Sequence, residues 1–139
     1  MGGVVDTCIF VAAERRSLSL KELFRRIDDV LPAQRIVVSS ITVAELVQGI
    51  YQGDRARSRK RMAYISNLMD ILPIVPFSRE TAWIAGRIRG EQAAAGNMLP
   101  FADSLIAASA LGLEYSVLTH NVKDFARIPG LRVIAFTLP

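Results

Sequence analysis

The sequence predicts an α/β fold: a central, mostly parallel sheet with helices on both faces. Three observations carry that prediction. Short β-branched apolar runs alternate along the chain with longer segments whose apolar residues recur every three or four positions, the spacing of an amphipathic helix. The apolar runs, Val4-Val5 and Ile36-Val37-Val38 among them, are continuous rather than alternating, as in strands covered on both faces. No repeat, low-complexity tract or Pro/Gly/Ser-rich linker interrupts the 139 residues, so residues 1–139 are read as a single domain.

The first strand ends near Asp6, where Asp6-Thr7 breaks the apolar run and turns it into a helix through Cys8, Ile9, Phe10 and Val11. Leu20, Leu23, Phe24, Ile27 and Leu31 keep helical spacing over residues 18–31. Arg35 to Val38 is short and β-branched, a strand closed by Ser39-Ser40. Thr42 is placed to cap a helix carrying Val43, Leu46, Val47 and Ile50, with Glu45 at capping-box distance. Gly53-Asp54 breaks that helix, and a long one follows from Arg55 to Leu72. Pro73 to Phe77 reads as a strand. Ser78 caps the next helix, with Glu80 in its first turn and Trp83, Ile84, Ile88 and Ala95 facing inward. Gly96-Asn97 stops it. Pro100 opens a helix of small residues through Leu113, Tyr115 to Leu118 is a strand, Thr119 to Phe125 a turn with a short helical piece, and Arg132 to Phe136 the last strand.

Composition narrows the chemistry. One Cys excludes an internal disulfide and a Cys-rich zinc site, which fits a reducing compartment. One His excludes any site built on paired histidines and leaves only His120 for a Ser-His-Asp arrangement. Carboxylates, hydroxyls and amides remain, and these suit hard cations such as Mg²⁺ or Mn²⁺. No apolar run approaches the ~18 residues of a membrane span. The start carries neither a basic-then-apolar leader nor the hydroxyl residue of a myristoylation signal, so a cytoplasmic location without a membrane is expected. A mean hydropathy of +0.30 is high for a domain of this size and points to a buried partner interface.

In a parallel sheet, ligands sit beyond the carboxyl ends of the strands. Asp6 follows the first strand, Glu45 lies in the first turns of the helix after the second, and Asn121 and Asp124 follow the Tyr115–Leu118 strand. Asp103 joins the same end from a helix N-terminus. Each has a plain alternative: Asp6 and Glu45 as cap residues, Asp103 as a favourable charge on its helix dipole, Asp124 as a solvated turn residue. Together they make an acidic cluster that raises its own pKa values unless a cation intervenes. A divalent ion there activates water and steadies phosphate charge, so the chemistry is hydrolysis of a phosphodiester.

The same residues resemble a known family. Val4-Val5-Asp6-Thr7-Cys8-Ile9-Phe10, Ser39 to Leu46 with Gly49, Gly96 to Leu111 around Asp103, and Leu118 to Phe125 followed by Ile128-Pro129-Gly130-Leu131 are similar to the four ordered motifs of PIN-domain ribonucleases. Within them the resemblance is to VapC-type toxins of toxin–antitoxin pairs, and it covers essentially the whole chain. It implies a PIN-like three-layer α/β/α fold and a metal-dependent endoribonuclease. Asp6, Glu45 and Asp103 occupy the family's first three acidic positions. Its fourth falls on Asn121, with a carboxylate three residues on at Asp124. Cys8 stands where the family usually has Asn and reads as a small apolar residue.

By that resemblance Asp6 and Asp103 hold an Mg²⁺ or Mn²⁺ ion directly. Glu45 ligates through water or deprotonates the attacking water, and Asp124 with Asn121 completes the set. Thr7 and Thr119 are the hydroxyls beside it, and His120 is a rim residue. The resemblance also implies a homodimer and a cognate VapB-type antitoxin whose basic side chain blocks the acidic pocket. Two further readings stay open: a PIN-like RNA-processing nuclease without an antitoxin, and a non-catalytic RNA-binding module. An aspartyl phosphatase is disfavoured, because Asp6-Thr7-Cys8 lacks a second Asp.

The net charge of +4 is unevenly spread: Arg55, Arg57, Arg59, Lys60 and Arg61 put five cations into seven residues. They read either as a solvated helix face or as contacts to an RNA backbone, with Arg15 and Arg16 as further candidates. Tyr51, Met62, Tyr64, Ile65, Leu68 and Met69 outline a groove for a partner's amphipathic helix. Trp83 reads as core, not as a platform for a base.

Overall fold

The computed structural model describes residues 1–138. Strand β1 (Gly2–Val5) leads into α1 (Thr7–Arg15) and α2 (Leu20–Val30). Strand β2 (Arg35–Ser39) is followed by α3 (Ser40–Gln52) and α4 (Arg55–Ile71), and then β3 (Ile74–Val75). The second half holds α5 (Arg79–Ala94), α6 (Phe101–Leu113), β4 (Ser116–Thr119), α7 (Val122–Phe125) and β5 (Val133–Ala135). The five strands run in the order β3-β2-β1-β4-β5 and every pair is parallel. The sheet is therefore wholly rather than mostly parallel.

The alternation of strand side chains divides the core in two. Val5, Val38 and Leu118 face α1, α2, α3 and α4, where they meet Phe10, Leu23, Ile27, Leu46 and Leu68. Val4, Val37 and Val117 face the other way, onto Ile88, Ile106 and Phe125 of α5, α6 and α7. This is the three-layer α/β/α arrangement. The run of small residues in α6, from Ala107 to Ala110, lets that helix lie against the sheet with every one of them buried. Among the described residues no helix is long and apolar enough to cross a membrane.

Several local expectations change. Ser39, not Thr42, caps α3: its Oγ accepts the Ile41 N–H at 3.2 Å, and Thr42 is buried inside the first turn. Strand β3 shrinks to two residues because Pro73 and Pro76 bracket it and neither can donate to the ladder. Ser78 does cap α5, in a reciprocal box with Thr81. The buried stripe of α5 is Thr81, Ala85, Ile88 and Gln92, with Ile84 half-buried beside it. At ~100° per residue, two steps from Thr81 carry a side chain to the opposite face. Trp83 therefore stands 81% exposed, and Ala95 is exposed as well. In α4, Ile65 and Leu68 belong to the chain's own core and cannot line a partner groove, whereas Met62 and Met69 of α4 and Tyr51 of α3 are exposed.

Candidate active site

Strand order reverses around β1: β2 and β3 lie on one side, β4 and β5 on the other. The crevice at the carboxyl end of such a switch point is where open parallel sheets bind ligands. Asp6 is the residue that emerges there. Its backbone N–H donates to the Leu118 carbonyl at 2.9 Å, fastening the end of β1 to β4. It occupies the N-cap position of α1 in an extended conformation, but its carboxylate makes no cap bond. Instead Oδ2 accepts the Thr119 hydroxyl at 2.7 Å and the Cys8 thiol at 3.2 Å. The side chain is buried and aimed across the sheet end, so the capping alternative for Asp6 fails.

Thr119 is wholly buried, and its Oγ1 also accepts the Asn121 N–H at 2.9 Å. One hydroxyl thus links the first acidic residue to the turn that carries the last two. In that turn Asn121 Nδ2 donates to Asp124 Oδ2 at 2.9 Å, and Arg127 stands 3.9 Å from Asp124 Oδ1. Asn121 and Asp124 are one hydrogen-bonded unit rather than rivals for one position.

On the α3 side, the Thr7 hydroxyl donates to Glu45 Oε1 at 2.6 Å and lies 2.9 Å from the Thr42 hydroxyl. Thr42 and Glu45 are three residues apart on one helix face, so both meet Thr7 at the start of α1. The capping-box alternative for Glu45 disappears with the shifted cap. Asp103 sits in the first turn of α6, half-buried, and its pKa is pushed up to about 6. Burial is the largest cause. The negative charges of Asp6, Glu45 and Asp124 add to it, and a hydrogen bond from Asn121 opposes it. A first-turn carboxylate would ordinarily gain from its helix dipole. Here desolvation and like charge prevail, and the acids expected from the sequence share one electrostatic site.

Sequence reasoning did not foresee the parts played by Cys8 and Thr42. The Cys8 thiol is held as a neutral donor to Asp6, its pKa raised to about 11 by burial and then by the Asp6 charge. It is a weak polar partner rather than an inert apolar residue. His120 is exposed at the rim. Of the basic run, Arg61 is committed elsewhere, its guanidinium held bidentately by Glu14 with Nε contacts of 2.9 and 3.1 Å. Gly49 permits this, because a Cβ there would collide with the Arg61 guanidinium. Arg55, Arg57, Arg59 and Lys60 point to solvent.

Among the described residues, no three His, Cys, Asp or Glu side chains close up around one point as a ready cage. The donors act on one another through space instead. That suits a hard, hydrated cation which keeps several waters and takes one or two carboxylates directly. Asp6 and Asp103 fit such an ion, and its charge would relieve the repulsion that lifts Asp103.

A parallel three-layer sheet with carboxylates gathered over its switch point defines the class: a PIN domain, whose family model matches residues 3–131. The chain belongs to this family, on the branch of the VapC ribonucleases. "Ribonuclease VapC1" of Rickettsia felis is 33% identical over 135 residues, covering 96% of each chain. The "tRNA(fMet)-specific endonuclease VapC" of Salmonella typhimurium is 29% identical, covering 92% of this chain and 91% of the relative. Among solved structures, VapBC2 from Rickettsia felis bound to a promoter DNA fragment superposes with a TM-score of 0.86 at 25% identity, covering 99% of this chain and 100% of that one. VapBC-1 from nontypeable Haemophilus influenzae superposes at 0.82 with 27% identity, covering 97% and 98%.

Proposed function

We propose that the chain is the toxin of a VapBC-type pair, an endoribonuclease that hydrolyses RNA phosphodiesters with Asp6, Glu45, Asp103 and the Asn121–Asp124 unit. The observation that carries this reading is the gathering of acids from separate elements at one end of the sheet, Asp6 held by Thr119 of β4 at 2.7 Å and Glu45 of α3 held by Thr7 at 2.6 Å, with Asp103 in the first turn of α6 close enough to feel both charges. Four acids brought to one end of a sheet against their own repulsion call for a cation.

PIN-domain VapC nucleases depend on a divalent metal, and Mg²⁺ or Mn²⁺ suits the all-oxygen donor set here. When bound, the ion polarises the scissile phosphate and lowers the pKa of water. The remaining work falls to the protein. Asp6, held through Oδ2 by Thr119 and Cys8, would hold the ion. Asp103 supplies the second carboxylate. Glu45, steadied by Thr7, takes the proton of the attacking water or holds it in line. Asn121 orients Asp124 at the margin of the site.

The partner that silences this activity is a VapB-type antitoxin. The exposed apolar side chains of Tyr51 and Met62 support a docking face for its helix. A homodimer and a cytoplasmic location complete the reading.

Induction in a host cell tests it, comparing wild type with Asp6→Asn and Asp103→Asn and mapping cleaved RNA ends. Wild type should cleave and both variants should not. Absence of cleavage by wild type with Mg²⁺ or Mn²⁺ supplied, or equal cleavage by both variants, overturns the proposal.

A further inference from the structure

A second cleft stands apart from the acidic residues. It lies between the C-terminal half of α1, the C-terminal end of α3 and the first turns of α4, with a volume of about 550 Å³. Four cations, Arg15, Arg57, Lys60 and Arg61, line it against a single carboxylate, Glu14. The Glu14–Arg61 pair neutralises itself, as its bidentate geometry requires. Arg57 makes only a long contact of 3.9 Å to Asp54, both side chains being well exposed. Among the described residues, Arg15 and Lys60 have no carboxylate within ion-pair distance. The cleft therefore carries unpaired positive charge in a concave, partly walled setting, where a field is strongest.

Two helices, α1 and α3, run from the acidic site to the cleft. Thr7 and Glu45, hydrogen-bonded to each other, are where α1 and α3 leave that site. Val11, Glu14 and Arg15 follow Thr7 along α1, and Gly49 and Gln52 follow Glu45 along α3, into the cleft. Arg15 stands eight helical steps beyond Thr7, about 12 Å at ~1.5 Å per residue. At a stacked-strand rise of ~3.4 Å, that is roughly three to four nucleotides.

We infer that this cleft is a phosphate subsite, in which Arg15, Arg57 and Lys60 hold the backbone of an RNA strand a few nucleotides from the bond being cut. The inference rests on the ribonuclease reading and refines its basic run. Two of the run's five cations, Arg57 and Lys60, do the holding, together with Arg15 from outside the run. Arg61 is withheld by Glu14, and Arg55 and Arg59 lie outside the cleft. Withholding makes the subsite adjustable, because release of Arg61 adds a cation at the same place.

The test measures binding of a fluorescein-labelled, randomised 12-nucleotide single-stranded RNA to the full chain in EDTA, across a salt series. Arg57→Gln/Lys60→Gln should bind about tenfold more weakly, and its log K against log[salt] slope should fall by about 1.4, at ~0.7 for each phosphate that is no longer neutralised. Arg57→Lys/Lys60→Arg should keep the wild-type slope, which separates charge from misfolding. Glu14→Gln should bind more tightly, with a slope steeper by about 0.7 as Arg61 is freed. An unchanged slope in the neutralised variant overturns the subsite, as does a Glu14→Gln slope no steeper than wild type. Weakened capture of an acidic peptide with RNA binding intact would give the cleft to a protein partner and overturns it equally. Cleavage of total RNA by wild type with Mg²⁺, run in parallel, separates failure of the subsite from failure of the ribonuclease reading.

Discussion

Thr119 Oγ1 donates to Asp6 Oδ2 at 2.7 Å, across 113 residues of sequence. The same oxygen accepts the Asn121 N–H. Removing it unties both ends of the site. Thr119→Val keeps the shape but leaves Asp6 Oδ2 with only the weak Cys8 thiol donor and the Asn121 N–H without its acceptor, at a cost of about 1–3 kcal/mol in all. Thermal denaturation should show that loss, and RNA cleavage should fall at least tenfold. Thr119→Ser should recover most of both. Wild-type cleavage by Thr119→Val would show that Asp6 needs no such support.

Asp103 sets a pH dependence of stability with a defined sign. Its folded pKa of about 6 lies above the ordinary 3.8. The native state therefore holds a proton that the unfolded chain releases, and folding gains from it fully below pH 4. That gain is lost as pH rises through about 6. In urea titrations of metal-free protein, wild type should lose stability between pH 4 and 7, and Asp103→Asn should lose less. Adding Mg²⁺ or Mn²⁺ should raise the wild-type Tm more at pH 7 than at pH 5, since the ion competes with that proton. Equal shifts at both pH values would mean that Asp103 is not a ligand.

Helix α4 is fastened from one side only. Leu68 is fully buried in the core beneath it, while Met62 is 54% exposed. Leu68→Ala should cost about 2–5 kcal/mol by urea denaturation, and Met62→Ala should stay within about 0.5 kcal/mol. Antitoxin binding should respond in the opposite order, with Met62→Ala weakening the complex although the fold is untouched. Pull-down with the co-expressed VapB-type partner reads this directly.

Trp83 is the chain's single tryptophan and stands in solvent. Its native emission should already resemble that of the unfolded chain and should be open to acrylamide quenching in dilute solution. Trp83→Ala should change stability by less than about 0.5 kcal/mol. Quenching that weakens as protein concentration rises would place Trp83 between copies of the chain. A blue-shifted, unquenchable emission in the dilute monomer would contradict the exposed placement.

The order of strands and helices was legible because both periodicities are clean: continuous apolar pairs such as Val4-Val5, and the stripe from Leu20 to Ile27. The acids were legible because Asp6 and Asp103 interrupt or open apolar segments where a buried charge needs a reason. Trp83 was misplaced because α5 has a buried stripe built partly from Thr81 and Gln92, polar residues that a hydrophobic pattern passes over. Thr42 was misread because Ser39, Ser40 and Thr42 offer three hydroxyls for one helix start, and only the φ/ψ break at Ser39 decides among them. The Glu14–Arg61 pair spans 47 residues, and neither position signals the other. Long-range side-chain pairing of this kind is set by how α1 and α4 pack, not by any local pattern.

The strand order has a consequence for how the cell makes this protein. Asp6 leaves the ribosome 113 residues ahead of its partner on β4, Thr119. At ~5–20 residues per second, the interval between them is about 6–23 seconds of translation. Until β4 is delivered, β1 has no partner on one edge and the carboxylate beside it has no fixed direction. A chain that ends before residue 119 lacks the hydroxyl that fixes the Asp6 carboxylate. The acidic end of the sheet is assembled only once β4 has joined β1.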